Sequence, residues 1–424
     1  MRNGRDSASV SAGGDPKRLE KAPRGMTMVH RIADPVAVRL ALFYTAYFAV
    51  AGVLLPYWPA WLEGRGLDPV TIGAVLAVGF WIKLVAQPAM AAAADASGAL
   101  RGLVILLSVA ALVVYAGFGW AREPWHYLVL AALVGVTFQT IMPLGEALSL
   151  AEIRQRRLDY GRIRIWGSLA FIAAAALGGW AIDVFRTEAV LPMTLAGLAA
   201  LVLATVLMPR RQARAARSWS WLTVGRLVAD RRFVTFVVAA GAAQASHCVF
   251  YGFGTIAWRR IGFDDAVIGM LWTIGVFAEI ALFWVAGRLG RFGSAPVLLA
   301  FAGVGVLVRW PLTAVADSVA VVAPLQVLHA LTFGAAHLGA MRFLQDNAPP
   351  GLEATAQALY YALVTGVLMG ACMPVAGLLY DAVGMAAYHA MGALGLVTLA
   401  AAALLARLGG KVDDSGLART TGAG

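Results

Sequence analysis

Seven ionisable side chains stand deep inside stretches that are otherwise apolar: Lys83, Glu146, Glu279, Arg309, His247, His329 and His337. Arg164 joins them about one turn into a further apolar stretch. A charge surrounded by hydrocarbon costs a few kcal/mol or more, so such residues pair, face protein or water, and mark a pathway. The chemistry open to them is recognition of a charged solute and carriage of protons. Glu146 and Arg164 flank one turn, residues 143–168, and lie eighteen positions apart. Gln139 precedes Glu146 by seven residues and so falls on roughly the same helix face, as does Trp272 before Glu279. His329, Phe333 and His337 recur every four residues, giving one polar stripe. Tyr44, Tyr47 and Phe48 lie deep enough to stack on a planar solute, whereas Tyr57 and Trp58 suit an interface belt.

Each of these residues also has a plainer reading. Lys83 could snorkel, although it sits about midway between Pro69 and Asp95. Glu279 could be a neutral structural acid, and Arg309 could repair the backbone that Pro311 frees. A single intramembrane histidine often serves only as an interhelical hydrogen-bond partner, but two on one stretch near an arginine favour a titrating or substrate-contacting role. The signs then matter. Lys83, Arg164 and Arg309 stand against Glu146 and Glu279, and one of those acids can travel protonated. Excess positive charge in a low-dielectric chamber is costly until an anion enters, so the expected solute carries a carboxylate and a proton moves with it.

The elements that hold these side chains must cross a membrane. Of 424 residues, 60% are apolar and 13% charged, with a mean hydropathy of +0.75; soluble domains carry about twice that charge. Twelve apolar runs are each long enough to span a core of ~30 Å: 36–61, 70–94, 102–121, 125–150, 162–184, 189–208, 233–258, 265–288, 294–316, 319–344, 354–380 and 382–407. The tightest connections are Ala316 to Val319 and Tyr380 to Ala382. Runs 3, 6 and 12 carry essentially no ionisable group in their middles and suit the lipid-facing periphery. Pro56, Pro59, Pro88, Pro143, Pro324 and Pro374 suit segments that bend.

A net charge of +11 raises nucleic acid as a partner, but the placement of the arginines excludes it. With the amino terminus in the cytoplasm, inside segments hold Arg101, Arg154, Arg156, Arg157, Arg210, Arg211, Arg214, Arg217, Arg226, Arg231, Arg232, Arg288, Arg291 and Lys411. Outside turns hold only Arg65, Arg122, Arg186, Arg259 and Arg260. An even helix number then puts both termini inside. Residues 1–34 read as a disordered basic cytoplasmic tail and 35–208 as a six-helix bundle. A basic linker over 209–232, a second bundle over 233–408 and a tail over 409–424 follow. Cys248 and Cys372 read as free, buried small residues. The fold class is an all-α membrane protein with twelve transmembrane helices in two pseudo-symmetric six-helix bundles, each hiding an inverted repeat.

Several stretches carry a resemblance: 41–62, 158–168, His247 to Glu279 with Phe250-Tyr-Gly-Phe, Val308-Arg-Trp310, Leu328-His329, His337-Leu-Gly-Ala-Met-Arg342 and Gln357-Ala-Leu-Tyr. Together they resemble the 3-phenylpropionic acid transporter family of the major facilitators. More distantly, the 143–168 turn is similar to lactose permease, which implies a substrate-site role for Glu146 and Arg164 and a coupling role for Arg309 and His329. Where the permease carries its protonated acid, this chain has Thr332, so Glu279, with Glu146 second, is expected to carry the proton. The superfamily's loop signature survives only as Asp95 and Gly98 in the first half and Arg288, Gly290 and Arg291 in the second. Asp95, Gly98, Arg288 and Arg291, with Asp159 and Arg162, are the expected gating residues.

The reading is a proton-coupled importer of a small organic anion, an aromatic carboxylate by resemblance, working by alternating access as a monomer in the inner membrane. Its substrate site is assigned to Glu146, Arg164, Lys83, Arg309, His247, Tyr44, Tyr47 and Gln139. Proton coupling is assigned to Glu279, His329, His337 and Glu146. A sugar or nucleoside symporter and a drug-efflux antiporter are the alternatives within the class. An enzyme would want a catalytic cluster at a water-exposed loop; the external turns are short, and no metal-ligand, cofactor, nucleotide or nucleophile motif stands in the sequence. A receptor without transport is the remaining rival.

Overall fold

The computed structural model describes residues 34–210, 225, 227–289, 293–348 and 353–417. The expected amino-terminal tail (but for its last residue), most of the linker, Gly290 and Arg291 lie outside the described residues. Among the described residues, eleven segments are long and apolar enough to cross a membrane, and the last, Thr355–Gly409, holds two helices parted at Gly384–Ala386. Twelve membrane helices result. They are α1 (Pro35–Gly64), α2 (Pro69–Ser97), α3 (Leu100–Gly117), α4 (Pro124–Arg156), α5 (Tyr160–Phe185), α6 (Val190–Leu207), α7 (Arg231–Arg260), α8 (Asp265–Leu289), α9 (Ala295–Val315), α10 (Val319–Asn347), α11 (353–383) and α12 (Ala387–Leu417).

Local chemistry starts these helices where the sequence places an acid. Asp34 and Asp68 each precede a proline, and their side chains accept the amides of Val36 and Thr71 at 2.8 and 2.9 Å. A proline in the first turn gives up an amide that would lack a partner anyway. Asp159 and Asp230 cap α5 and α7 in the same way. At α4, His126 Nδ1 accepts the Glu123 amide in a capping box.

The turn from 143 to 168 is shorter than the sequence suggests. Helix α4 continues to Arg156, ends with Arg157 in the left-handed region (φ 55°), and α5 begins at Tyr160. Glu146 therefore sits well inside α4 rather than at its end. The carboxy-terminal helix likewise runs on to Leu417, where a frayed tail was expected from 409.

The helices are not interrupted at most of their prolines. Continuous helix passes Pro56, Pro59, Pro88, Pro143 and Pro374. Breaks occur where side chains capture carbonyls. In α4, Thr137 and Thr140 bond back to Leu133 and Val136 around a break at Thr137. In α7, Ser246 and His247 take the carbonyls of Ala243 and Gln244, and the helix restarts at Cys248. π-helical turns occupy Ala330–Ala335 in α10 and Ala362–Leu368 in α11.

Packing sorts the helices into two sixes. Within the first, α1 packs against α5 and α6, α2 against α4, and α3 against α6; within the second, α12 packs against α9 and α7, and α8 against α10. The main contacts between the sixes are α2 with α11 and α5 with α8. Helix α9 joins α3, α6 and α12 away from that interface, although its Arg309 kept it off the peripheral set read from sequence.

The interface is closely packed at the end away from the chain termini. A Cβ on Gly73 would lie 2.7 Å from the Met373 carbonyl, and one on Gly269 would lie 2.7 Å from both the Ala175 carbonyl and the Tyr57 hydroxyl. Arg260 and Glu63 pair there at 2.8 Å. Toward the other end, α2 contacts the stretch of α11 from Ala362 onward and parts from Glu353–Tyr361. The bundles are shut at the far end and diverge toward the termini.

Candidate functional site

On the first bundle, Tyr44 of α1 is wholly buried and donates its hydroxyl to Glu146 Oε2 at 2.7 Å. Tyr160, at the start of α5, lies within reach of both Glu146 and Arg164. The Arg164 guanidinium sits 3.9 Å from the ring centroid of Phe48 and 5.6 Å from that of Tyr44. Gly167, a turn further along α5, leaves the room for this: a Cβ there would stand 2.8 Å from Phe48 and 2.9 Å from Arg164. Tyr47 stacks on Phe138 of α4, centroids 4.9 Å apart. Glu146 and Arg164 thus share one aromatic cage without an ion pair between them.

The second bundle holds a hydrogen-bonded network around Arg309, which is wholly buried. Its Nη2 donates to Gln326 Oε1 at 2.8 Å, and its Nη1 donates to His329 Nδ1 at 3.1 Å and Thr332 Oγ1 at 3.0 Å. The rings of Trp310 and Phe250 lie 4.3 and 5.0 Å from the guanidinium carbon. These bonds fix the imidazole tautomers, because arginine only donates. His329 Nδ1 must accept, so its proton is on Nε2, which faces Glu279 Oε2 at 3.8 Å. His247 Nδ1 faces two backbone carbonyls and so carries its proton, leaving Nε2 to accept from Thr332 at 3.0 Å. Both histidines are neutral in this arrangement, and Arg309 is its cation.

Glu279 links the bundles. Its side chain is about one-fifth exposed, it faces His329, and it lies within electrostatic reach of Arg164 across the α5–α8 interface. Among the described residues, no carboxylate stands within ion-pair distance of Lys83, Arg164 or Arg309.

The remaining expected residues fall around this centre. Lys83 is half-buried, its ammonium 4.6 Å from the Phe80 ring and on the helix face of Leu76, which lies beside Gly252 of α7. Gln139 lies over Gly79 of α2, and its carbonyl accepts from Gln87. His329, Phe333 and His337 form one parallel ring column, with centroids 5.2 and 6.2 Å apart. His247 is wholly buried with both nitrogens engaged in the network.

The expected gating residues stand at the terminal end. Gly98 ends α2 in the left-handed region, Asp159 pairs with Arg162 at 3.4 Å, and Arg288 lies on the Trp284 ring. Asp95 is exposed near the end of α2. Sequence reasoning passed over Tyr160 and Gln326; Gln326 is three residues before His329, a spacing that could have placed it on the network face.

Comparison with known proteins adds the following. A family model described as the MFS_1 like family matches residues 37–391. The chain is 32% identical over 369 residues to a probable 3-phenylpropionic acid transporter of Escherichia coli K12, covering 84% of this chain and 94% of that protein. It is 28% identical to a maltose permease of Geobacillus stearothermophilus over 80% and 86% of the two chains. Among solved structures, the nucleoside transporter NupG aligns with a TM-score of 0.78 at 16% identity, covering 87% of this chain and 98% of that one. An inward-facing bacterial homologue of the human lysosomal transporter Spinster aligns at 0.68 with 13% identity, covering 89% and 97%. These structural likenesses concern the fold.

Proposed function

The chain belongs to the MFS_1 like family of membrane transporters, and we propose that it imports a small organic anion together with a proton by alternating access. The carrying observation is the unbalanced charge: Lys83 and Arg164 of the first bundle, and Arg309 buried inside the second, have no carboxylate partner among the described residues. Holding unpaired cations away from bulk water is costly, and an entering carboxylate offsets that cost. The similarity to the E. coli probable 3-phenylpropionic acid transporter makes an aromatic carboxylate of the phenylpropionate type the first substrate to try. Stacked Tyr47 and Phe138 offer a flat apolar face beside the cage of Glu146 and Arg164.

Coupling follows from the network. His329 is held neutral by Arg309, so Glu279 is the group free to take a proton. Protonated, Glu279 no longer offsets Arg164, and the chamber attracts an anion more strongly. Deprotonated, it competes with the anion. Proton and substrate therefore bind cooperatively, which is the requirement for symport. The arginine-rich ends orient the protein in the inner membrane with both termini cytoplasmic, so the divergent end opens inward.

A sugar or nucleoside symporter is the second reading, favoured by the hydroxyl-rich pairing of Tyr44 and Tyr160 with Glu146 and by the maltose permease similarity. Flux into proteoliposomes separates the two. With an inward proton gradient, 3-phenylpropionate is expected to accumulate, while maltose and nucleosides are not. Accumulation of a sugar or nucleoside without any carboxylate would replace the first reading by the second.

A further inference from the structure

The far end of the interface is closed by a contact that none of the site assignments uses. Helix α8 begins at Asp265, and its first two amides are capped by the opposite bundle. Asp183, near the end of α5, accepts the Asp265 amide through Oδ1 at 2.7 Å and the Ala266 amide through Oδ2 at 3.0 Å. The first amides of any helix lack intrahelical partners and carry partial positive charge, so a carboxylate there is both bonded and electrostatically favoured. Here the cap and the helix belong to different halves of the molecule.

Two neighbours decide how much of the closure Asp183 carries. The Arg260–Glu63 pair between α7 and α1 is half and one-third exposed on its two sides, and solvent-exposed pairs of this kind contribute little. Arg259, 3.2 Å from Asp265, joins residues within the second bundle only. Below the cap, the Gly269 contact with Ala175 and Tyr57 supplies close packing without a polar bond between the bundles. Asp183 itself is exposed, so water can take over its two bonds on release. A contact that is strong when made and cheaply exchanged for water suits a reversible latch.

We infer that Asp183 is the outer latch of the transporter: its carboxylate holds α8 to α5 while the far end is shut, and opening that end requires the cap to be released. The inference rests on the alternating-access reading above. The test uses full-length protein in intact cells, with Cys248→Ser and Cys372→Ser leaving Ile268→Cys as its single thiol. Ile268 is wholly buried and shares the helix face of Trp272 and Glu279, so a membrane-impermeant maleimide reaches it from outside only when the far end opens.

Asp183→Ala removes the acceptor, and Ala266→Pro removes one donor at a first-turn position that tolerates proline. Each is expected to raise the labelling rate about tenfold, the scale of losing a helix cap. Asp183→Asn, which keeps one acceptor, should fall between. The double variant should label no faster than the faster single one, because both break the same contact. Unchanged labelling in Asp183→Ala and Asp183→Asn overturns the inference, as do effects that multiply in the double variant. Labelling is read without substrate, so a failed flux assay would sink the transport reading and leave this result standing on its own.

Discussion

At the scale of single residues, burial and partnership separate side chains that look alike in sequence. Lys83 and Arg309 are both cations in apolar runs, yet their substitutions should differ. Lys83 is half-buried with only a ring contact, so Lys83→Gln should leave thermal stability unchanged and weaken anion binding about tenfold or more. Arg309 is wholly buried with three bonds, so Arg309→Met orphans the acceptors of Gln326 and His329, at about 1–3 kcal/mol of stability each, besides abolishing uptake. Thermal unfolding of the purified variants, run beside equilibrium binding of 3-phenylpropionate, distinguishes the two. Thr332 is the finer case. Thr332→Val leaves His247 Nε2 buried without a donor, a loss of about 1–3 kcal/mol, whereas Thr332→Ser keeps the bond. Equal stability of the two variants would show that the hydroxyl is not the hub of the network. The charged members of this centre were legible because charge is rare in apolar runs. Tyr160 was not, because neutral polar residues are common in membrane helices; Gln326 was legible only through its three-residue spacing from His329.

At the scale of helices, the sequence located the runs closely but not the points where helical hydrogen bonding is interrupted. Prolines suggested the bends, but a proline can be carried through a membrane helix when neighbours satisfy the freed carbonyl. The interruptions at Thr137 and at Ser246–His247 come instead from side chains that capture carbonyls, a signal hidden among ordinary threonines, serines and histidines. The far-end seal depends on glycine. Gly269→Leu forces atoms into the Ala175 carbonyl and the Tyr57 hydroxyl and should hold the far end ajar, abolishing accumulation while the protein still inserts. Wild-type accumulation by that variant would mean the α5–α8 seal is looser than its geometry implies. The cap of α2 makes a pH-dependent prediction. Asp68, at the water-exposed start of that helix, accepts the Thr71 amide and hydroxyl, and these bonds hold its carboxyl below the ordinary value. A lowered native pKa contributes stability above the unfolded value, about 3.9, and loses it as pH falls through the lowered one. Wild type should therefore exceed Asp68→Ala by about 1 kcal/mol at neutral pH, and the gap should close only in strong acid.

At the scale of the whole molecule, two bundles meet tightly at one end and part at the other, with one acid, Glu279, bridging them and cations that meet no carboxylate among the described residues. Overall architecture was readable from hydropathy and arginine placement because the membrane permits few alternatives. The asymmetry of the interface was not readable, since it depends on which glycines and caps face each other across bundles far apart in sequence. If the basic ends lie in the cytoplasm as proposed, a carboxy-terminal reporter active only in the cytoplasm should be active. The central claim is that Glu279 takes up a proton as an anion enters. The direct measurement is proton uptake by purified protein in weakly buffered solution when 3-phenylpropionate is added, at a pH where the free acid is fully ionised. Wild type should withdraw protons from solution in step with binding, and Glu279→Gln should bind without doing so. Binding with no proton uptake in wild type, or with equal uptake in both proteins, would contradict the account.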